Sequence, residues 1–306
     1  MFAAFRSFNS RRTLILAAAA GVAFTSSASS ARPDPFSQLP STVTLTGIVR
    51  DFRSRDVGGH ADFQRQPTGG FGHYMGMVAT ALDSEGKPVW ATTGRRVTSQ
   101  WRDSSGRNRI NPKSYINGMA GDANGAMSSS QVGAATTAAN LAQWFRDTSG
   151  VNMSSTLALQ LNRETGTNKY VFDDKSHPEY VAAGGFFPVN GQMYGNYAST
   201  NKNFHFTYEL DTTFQYKQGA GQVFRFIGDD DVWVFVDGKL VIDIGGVHSA
   251  VEQTIDLDRL NWLVDGESYG LKFFFAERHT TQSNFRIETT LNLISVDPPS
   301  TTALYD

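Results

Sequence analysis

Several segments of the chain alternate between apolar and polar residues with the period of two that is typical of half-buried β-strands. The clearest is NFHFTYEL, in which Phe204, Phe206 and Tyr208 share one face. A second kind of segment, VWVFV at 232–236, is apolar on both faces. Such a run predicts a strand that is covered on both sides, in the middle of a sandwich rather than at an exposed edge.

Turn and helix signals separate these strands. Asp237-Gly238 lies between VWVFV and KLVIDI, and this dipeptide predicts a two-residue hairpin because primed turns need positive φ. One segment, ATTAANLAQWFRDTSG, places Leu141, Trp144 and Phe145 at helical spacing. It predicts a helix that packs over a sheet.

Composition supports an antiparallel, all-β fold with a small helical insertion. The chain of 306 residues contains 22 Phe and 29 Gly, which favours short aromatic strands joined by glycine turns. It contains no cysteine. Disulfides and thiolate metal sites are therefore excluded.

The first 31 residues have the layout of an export signal. A segment with three arginines precedes the apolar run TLILAAAAGVAF and the small residues TSSASSA, so we expect cleavage after Ala31. SRRTLIL also resembles a twin-arginine signal, with Leu14 in place of the commoner Phe. The alternative is a cytosolic protein that begins with an apolar helix. Export predicts a secreted, cell-surface or periplasmic protein.

The rest of the chain divides into a linker at 32–45, one domain at 46–295 and a tail at 296–306. No later run is long and apolar enough to span a membrane. Without residues 1–31 the chain loses three arginines and no acidic residue, so the 27 basic and 29 acidic residues become 24 and 29. This balance does not predict a nucleic-acid partner.

Three adjacent carboxylates, Asp229, Asp230 and Asp231, directly precede the apolar VWVFV run. Neighbouring carboxylates repel each other, and a buried carboxylate without a partner is costly. Two interpretations are open at this point. The acids either face water at a turn or hold a cation.

The longest motifs, FRFIGDDDVWVFVDGKLVIDIGGVH and LDRLNWLVDGESYGLKFFFAERHTTQSNFRIETTL, together with NFHFTYEL, resemble the fibro-slime domain. This secreted bacterial and slime-mould module is related to the PA14 β-sandwich. The segment HADF at 60–63 departs from the family pattern, because Ala61 replaces proline. The resemblance implies a PA14-like antiparallel β-sandwich over roughly 46–295.

The PA14 relationship also implies a metal site. In PA14-type lectins two adjacent aspartates joined by a cis peptide bind Ca²⁺, and the ion helps to hold sugar hydroxyls. By motif position the pair is Asp229 and Asp230, with Asp231 flanking it. Glu277 lies nearest the position where yeast relatives use an asparagine.

Asn284 is a weaker candidate than Glu277 for that asparagine position. The candidates for contact with the ligand are His248, Arg278, His279, Asn284 and Trp262. Simpler roles remain open for several of them. His248 caps a glycine turn or lines the cleft, and Arg278 contacts ligand or pairs with Glu277 in an exposed turn. Trp262 stacks on sugar or belongs to the core.

These features predict a secreted, calcium-dependent, carbohydrate-binding module of a cell surface or extracellular matrix, with a glycan partner and no enzymatic activity. The first alternative is a structural matrix or slime protein that binds no sugar. A polysaccharide hydrolase is the second. It is less favoured because the chain has neither a G-x-S-x-G elbow nor a P-loop, and no motif supports a catalytic carboxylate pair.

Overall fold

The computed structural model describes residues 33–296. Within this range there are two short α-helices, α1 (Ala138–Leu141) and α2 (Pro178–Ala183). The strands are β1 (Thr42–Phe52), β2 (Tyr74–Met75), β3 (Arg95–Ser99), β4 (Trp101–Arg102), β5 (Asn108–Arg109), β6 (Ala126–Val132), β7 (Asn152–Arg163), β8 (Tyr170–Asp173), β9 (Phe206–Gln215), β10 (Val223–Gly228), β11 (Asp231–Val236), β12 (Lys239–Ile244), β13 (Val251–Asp256), β14 (Ser268–Glu277), β15 (Phe285–Thr289) and β16 (Ile294–Ser295).

Most strands join one antiparallel sheet in the order β12-β11-β14-β9-β1-β7-β8-β15-β10-β13, with β16 paired to β9. The sheet folds back on itself, so that β14 faces β15 across a common core. The ring centroids of Phe275 and Phe285, for example, are 5.0 Å apart. The expected antiparallel, all-β sandwich with few helices is confirmed.

Strand β11 explains why the chain contains a run that is apolar on both faces. Val232 and Val234 point into the sandwich core, while Trp233 and Phe235 point the other way into a second buried cluster. All of them are completely buried. Burying one such side chain contributes about 1.5–3 kcal/mol, so both faces of this strand stabilise the fold.

The second cluster is covered by the segment between β1 and β7, residues 53–151, which we call the covering segment. Its Trp144 lies 5.9 Å from Trp233 between ring centroids, and Phe145 packs edge-on against Phe274 at 4.9 Å. The predicted helix here is wrong in extent: α1 spans only Ala138–Leu141. The apolar residues at helical spacing are buried as expected, but turns position most of them.

Two local predictions can be compared directly with the structure. The Asp237-Gly238 hairpin is confirmed, with φ of 50° and 72° at its two residues. The domain boundary predicted at 46 is too late, because β1 begins at Thr42. The predicted export signal, and the tail beyond 296, lie outside the described residues. No helix within residues 33–296 is long and apolar enough to cross a membrane.

Candidate functional site

The three aspartates lie where the chain passes from one layer of the sandwich to the other. Strand β10 ends at Gly228 and β11 begins at Asp231. A glycine is required before the acids, since a Cβ at Gly228 would be 2.2 Å from the backbone oxygen of Asn284. The Asp229–Asp230 peptide bond is cis, as the family resemblance implies.

Burial decides between the two interpretations of these carboxylates. Asp229, Asp230 and Asp231 are only 2%, 3% and 0% exposed, so the solvated-turn alternative is wrong. Burial raises the pKa of all three carboxyls. The effect is largest at Asp230, where the charges of the other two aspartates raise the pKa further.

Backbone and side-chain donors hold Asp229 and Asp230 in place. The Asp230 carboxylate accepts from the backbone N–H of His248 and of Arg278, both at 3.1 Å. Asp229 accepts from the backbone N–H of Asn284 and, at 2.7 Å, from its side-chain amide. A carboxylate has about four lone-pair positions. Each group can therefore still coordinate a cation.

Asp231 has a different role from the one predicted. Its Oδ2 accepts from Arg278 Nε at 2.5 Å and its Oδ1 from Arg278 Nη2 at 3.1 Å. The backbone N–H of Gly246 donates to the same Oδ1 at 2.6 Å. The prediction of Asp231 as a metal ligand is therefore corrected, because the carboxylate is already neutralised by a guanidinium that would repel a cation.

Arg278 was expected at the ligand, and this expectation is also wrong. The side chain is completely buried. Its Nη1 donates to the carbonyl oxygens of Asp62 and Ala134, each at 3.2 Å, and its Cζ lies 4.8 Å from the centroid of the Trp144 ring. Arg278 thus connects the aspartates to the covering segment and cannot reach a ligand.

Glu277, the last residue of β14, lies near the aspartate pair. It is fully buried, and its Oε2 has no hydrogen-bond partner within the described residues. Burial raises the pKa of Glu277 well above its usual value, and the charges of Asp230 and Asp229 raise it further. The carboxyl of Glu277 is therefore close enough to Asp229 and Asp230 for their negative charges to act on it. Its unpartnered oxygen is the kind of atom that a cation would satisfy.

An open cavity of about 360 Å³ lies over Asp229 and Asp230. Its walls come from two loops and from the covering segment, and they consist of Phe71, Val247, His248, Ser249, His279, Thr280, Thr281 and Gln282. The predicted ligand residues His248 and His279 are thus brought together at the cavity. Burial lowers the pKa of His248 to about 3, so this imidazole is neutral.

Two further predicted residues lie elsewhere. Asn284 is beside the pair and donates to Asp229, but it lines a neighbouring cavity of about 310 Å³ behind Thr281 and Gln282. Trp262 does not line either cavity. Its ring is 5.6 Å from Tyr115 and lies under the ammonium of Lys239 at 4.5 Å. The sugar-stacking role predicted for Trp262 is therefore corrected to packing at the edge of the core.

Phe71 is the aromatic residue among the cavity-wall residues that the sequence does not single out. It lies between glycines in GGFG, a pattern that indicates a turn but gives no sign of where the ring would lie. The turn is brought to the cavity by a backbone hydrogen bond of 2.8 Å from Gly72 N–H to the carbonyl of Val247. This long-range contact cannot be read from local pattern.

Comparison with known families and proteins agrees with this geometry. The model of the PA14 domain matches residues 163–305. Residues 163–305, slightly less than half of the chain, are therefore similar to a PA14 domain. The match contains the aspartates and Glu277, whereas β1, most of β7 and the covering segment precede it.

Curated relatives of this chain occur in Dictyostelium discoideum. Protein psiQ is 37% identical over 164 residues, which are 49% of this chain and 15% of psiQ. Protein psiI is 42% identical over 153 residues, which are 47% of this chain and 19% of psiI. The match therefore spans less than a quarter of the length of either relative.

One solved structure has weak similarity to the chain. It is a β-glucosidase from Kluyveromyces marxianus in complex with glucose, with 11% identity and a TM-score of 0.21. The match covers 31% of this chain and 11% of that protein. At this TM-score the comparison supports no structural or functional conclusion.

Proposed function

We propose that the protein is a non-enzymatic, calcium-dependent carbohydrate-binding module that acts at a cell surface or in an extracellular matrix. One observation carries the proposal. The adjacent carboxylates of Asp229 and Asp230 are buried at the base of an open cavity, and their charges act on the buried carboxyl of Glu277, whose Oε2 has no hydrogen-bond partner within the described residues. The PA14 domain supports an extracellular setting.

The chemistry of these groups fits a hard divalent cation. Burial raises the pKa of Asp229, Asp230 and Glu277, so these carboxyls must either bind protons or share a positive charge. Ca²⁺ takes six to eight oxygen ligands, among them carboxylates and backbone carbonyls. Within residues 33–296, no three His, Cys, Asp or Glu side chains are grouped so that they alone could hold a metal ion. Backbone carbonyls or an amide oxygen would therefore have to complete the calcium site.

A saccharide is the ligand class that best fits the cavity. Sugar hydroxyls can complete the coordination of a bound Ca²⁺, and the hydroxyls of Thr280 and Thr281 can form hydrogen bonds with them. The volume of about 360 Å³ is near the lower end of the range for small-molecule sites. We therefore expect the cavity to hold one sugar unit of a glycan.

Calcium titration of the purified chain tests the metal site. We expect a dissociation constant of about 10⁻⁴–10⁻³ M, the range of extracellular modules. The Asp230→Asn variant should lose calcium uptake, whereas Asp265→Asn, which changes an exposed aspartate, should keep it. Equal calcium binding by both variants would refute the assignment of the site.

A glycan array probed with and without EDTA tests the ligand. Retention of particular glycans only when calcium is present would support the proposal. A protein that takes up calcium but retains no glycan would instead be a structural matrix component. Turnover of labelled glycans would indicate a hydrolase and would contradict the non-enzymatic assignment.

A further inference from the structure

Phe71 is unusual because it is a large aromatic residue that faces solvent beside the candidate site. Its side chain is 44% exposed, and it lines the same cavity as Asp229 and Asp230. The ring packs edge-on against His279, with centroids 5.1 Å apart and planes at 71°. A large part of an aromatic side chain is thus left exposed beside a polar cavity.

The ring is held in this position by its backbone. Gly70 and Gly72 adopt φ of 85° and 152°, conformations that favour glycine. A Cβ at Gly72 would also be 2.4 Å from Nε of Arg96. The next strand is paired to the end of β12 by two hydrogen bonds between Tyr74 and Gly245, at 2.6 and 2.7 Å. The loop that carries Phe71 is therefore anchored on both sides.

We infer that Phe71 is a stacking platform for the apolar C–H face of a pyranose ring in this cavity. The inference rests on the proposed function and specifies its ligand. A pyranose has hydroxyls around its edge and C–H groups on its faces. An exposed aromatic ring beside carboxylates therefore matches both parts of such a ligand, because binding sites combine aromatic surface with a few polar groups.

This arrangement assigns part of the specificity to the covering segment. The calcium ligands proposed above lie within the PA14 match at 163–305, whereas Phe71 lies before it. The covering segment therefore does more than bury the outer face of β11. It also supplies one wall of the binding site, and a change there alters ligand choice without altering the metal site.

Substitutions at Phe71 test the inference. The probes are the methyl pyranosides of galactose, glucose and mannose, together with the glycans that the array retains, each titrated in excess calcium. We expect Phe71→Ala and Phe71→Leu to weaken saccharide binding about tenfold, and Phe71→Tyr to bind as the unchanged protein does. The leucine variant keeps apolar bulk but removes the ring. It therefore separates stacking from simple burial.

Two further measurements distinguish a failure of the stacking inference from a failure of the proposed function. Calcium affinity should be the same in all three variants, and the C–H protons of a bound pyranoside should show an upfield ring-current shift in the unchanged protein that is absent in Phe71→Leu. Saccharide affinity that is unchanged in Phe71→Ala and Phe71→Leu would overturn the inference alone. Failure of the unchanged protein to bind any saccharide would overturn it together with the proposed function.

Discussion

Arg278 and Asp231 form a completely buried ion pair that holds the site together from below. The guanidinium reaches from β14 to Asp231 and to the carbonyl oxygens of Asp62 and Ala134 in the covering segment. Burial of both charges is tolerable only because each has a partner and further hydrogen bonds. The pair therefore positions the loop that carries Asp230, whose carboxylate accepts from Arg278 N–H.

Removing one charge of this pair should be strongly destabilising. We expect Asp231→Asn to lower the free energy of unfolding by about 3–5 kcal/mol, because it removes the carboxylate that pairs directly with the buried guanidinium of Arg278. The matched control is Glu164→Gln, which makes the same acid-to-amide change in a half-exposed pair with Lys169. That change should cost less than about 1 kcal/mol. Equal losses in urea unfolding would contradict this role for Asp231.

The buried carboxyl of Asp243 should make stability depend on pH. Burial raises its pKa from 3.8 to about 6, so the folded state binds a proton more readily than the unfolded chain. The free energy of unfolding should therefore fall as the pH rises from about 4 to 6, by about 3 kcal/mol for this group. The Asp243→Asn variant should show a shallower slope in urea unfolding at several pH values.

The control for this measurement is Asp265→Asn, an exposed aspartate whose substitution should preserve the slope. Burial also raises the pKa of Asp51 to about 6. The Asp243→Asn variant should therefore still lose some stability as the pH rises, because Asp51 titrates in the same range. A slope that is unchanged in Asp243→Asn would show that this carboxyl does not titrate in the window.

At the residue scale, the sequence and its family resemblance indicated the adjacent pair Asp229 and Asp230 and two of the cavity residues, His248 and His279. They did not indicate that Arg278 is buried, since its partners lie far away in the chain. A charged residue that follows an apolar strand predicts an exposed turn. Only the packing of the covering segment over β14 makes it part of the interior.

At the scale of single elements, the hairpin between β11 and β12 shows how one backbone angle constrains a residue. Gly238 has φ of 72° and a Cβ there would meet no described atom within 4 Å. Gly118 is equally open, but its φ is not positive. The two glycines thus differ in backbone conformation and not in available space.

Alanine substitutions at these two glycines should therefore have different effects. We expect Gly238→Ala to lower the free energy of unfolding by about 1 kcal/mol, because alanine is strained at positive φ. Gly118→Ala should be neutral or slightly stabilising. Thermal unfolding of the two variants measures the difference. A similar loss in both would mean that the turn conformation is not the cause.

Strands and turns were more predictable than the helix. Period-two alternation and Asp237-Gly238 carry local signals, and the structure follows them. The segment with Leu141, Trp144 and Phe145 has helical spacing, but its helix α1 ends at Leu141. Trp144 packs against Trp233 and Phe145 packs against Phe274. This tertiary packing stabilises the segment more than a longer helix would.

At the scale of the whole molecule, the PA14 match and the folded unit do not coincide. Strand β1 lies between β7 and β9 in the centre of the large sheet, yet it precedes the match at 163–305. The covering segment buries the outer faces of β11 and β14. The matched region therefore lacks both a central strand and the cover of its second hydrophobic cluster.

Expression of residues 163–296 alone should consequently fail to give a native fold. We expect the fragment to bind a hydrophobic dye and to unfold without a cooperative transition, because Trp233 and Phe274 would be exposed. A chain of residues 34–296 is the control and should unfold cooperatively. A fragment with dispersed amide resonances and a sharp transition would contradict this prediction.

The sandwich class was predictable from alternation and aromatic content, whereas the extent of the folded unit was not. Proline-rich residues before Thr42 suggested a linker up to 45, but β1 begins at Thr42 because its residues pair with β7 along their whole length. Pairing between distant strands leaves no local mark in the sequence. For the same reason, the position of β1 in the middle of the sheet could not be inferred.

The central position of β1 also has a consequence for how the chain reaches this fold. Thr42 pairs with Asn162, and Ile48 pairs with Glu209. One edge of the first strand therefore has no hydrogen-bond partner until β7 is synthesised, and the other has none until β9 is synthesised. Contacts between such distant residues slow folding. A nascent chain would therefore hold an aggregation-prone strand until more than half of its length had been synthesised, which makes protection by a chaperone during synthesis advantageous.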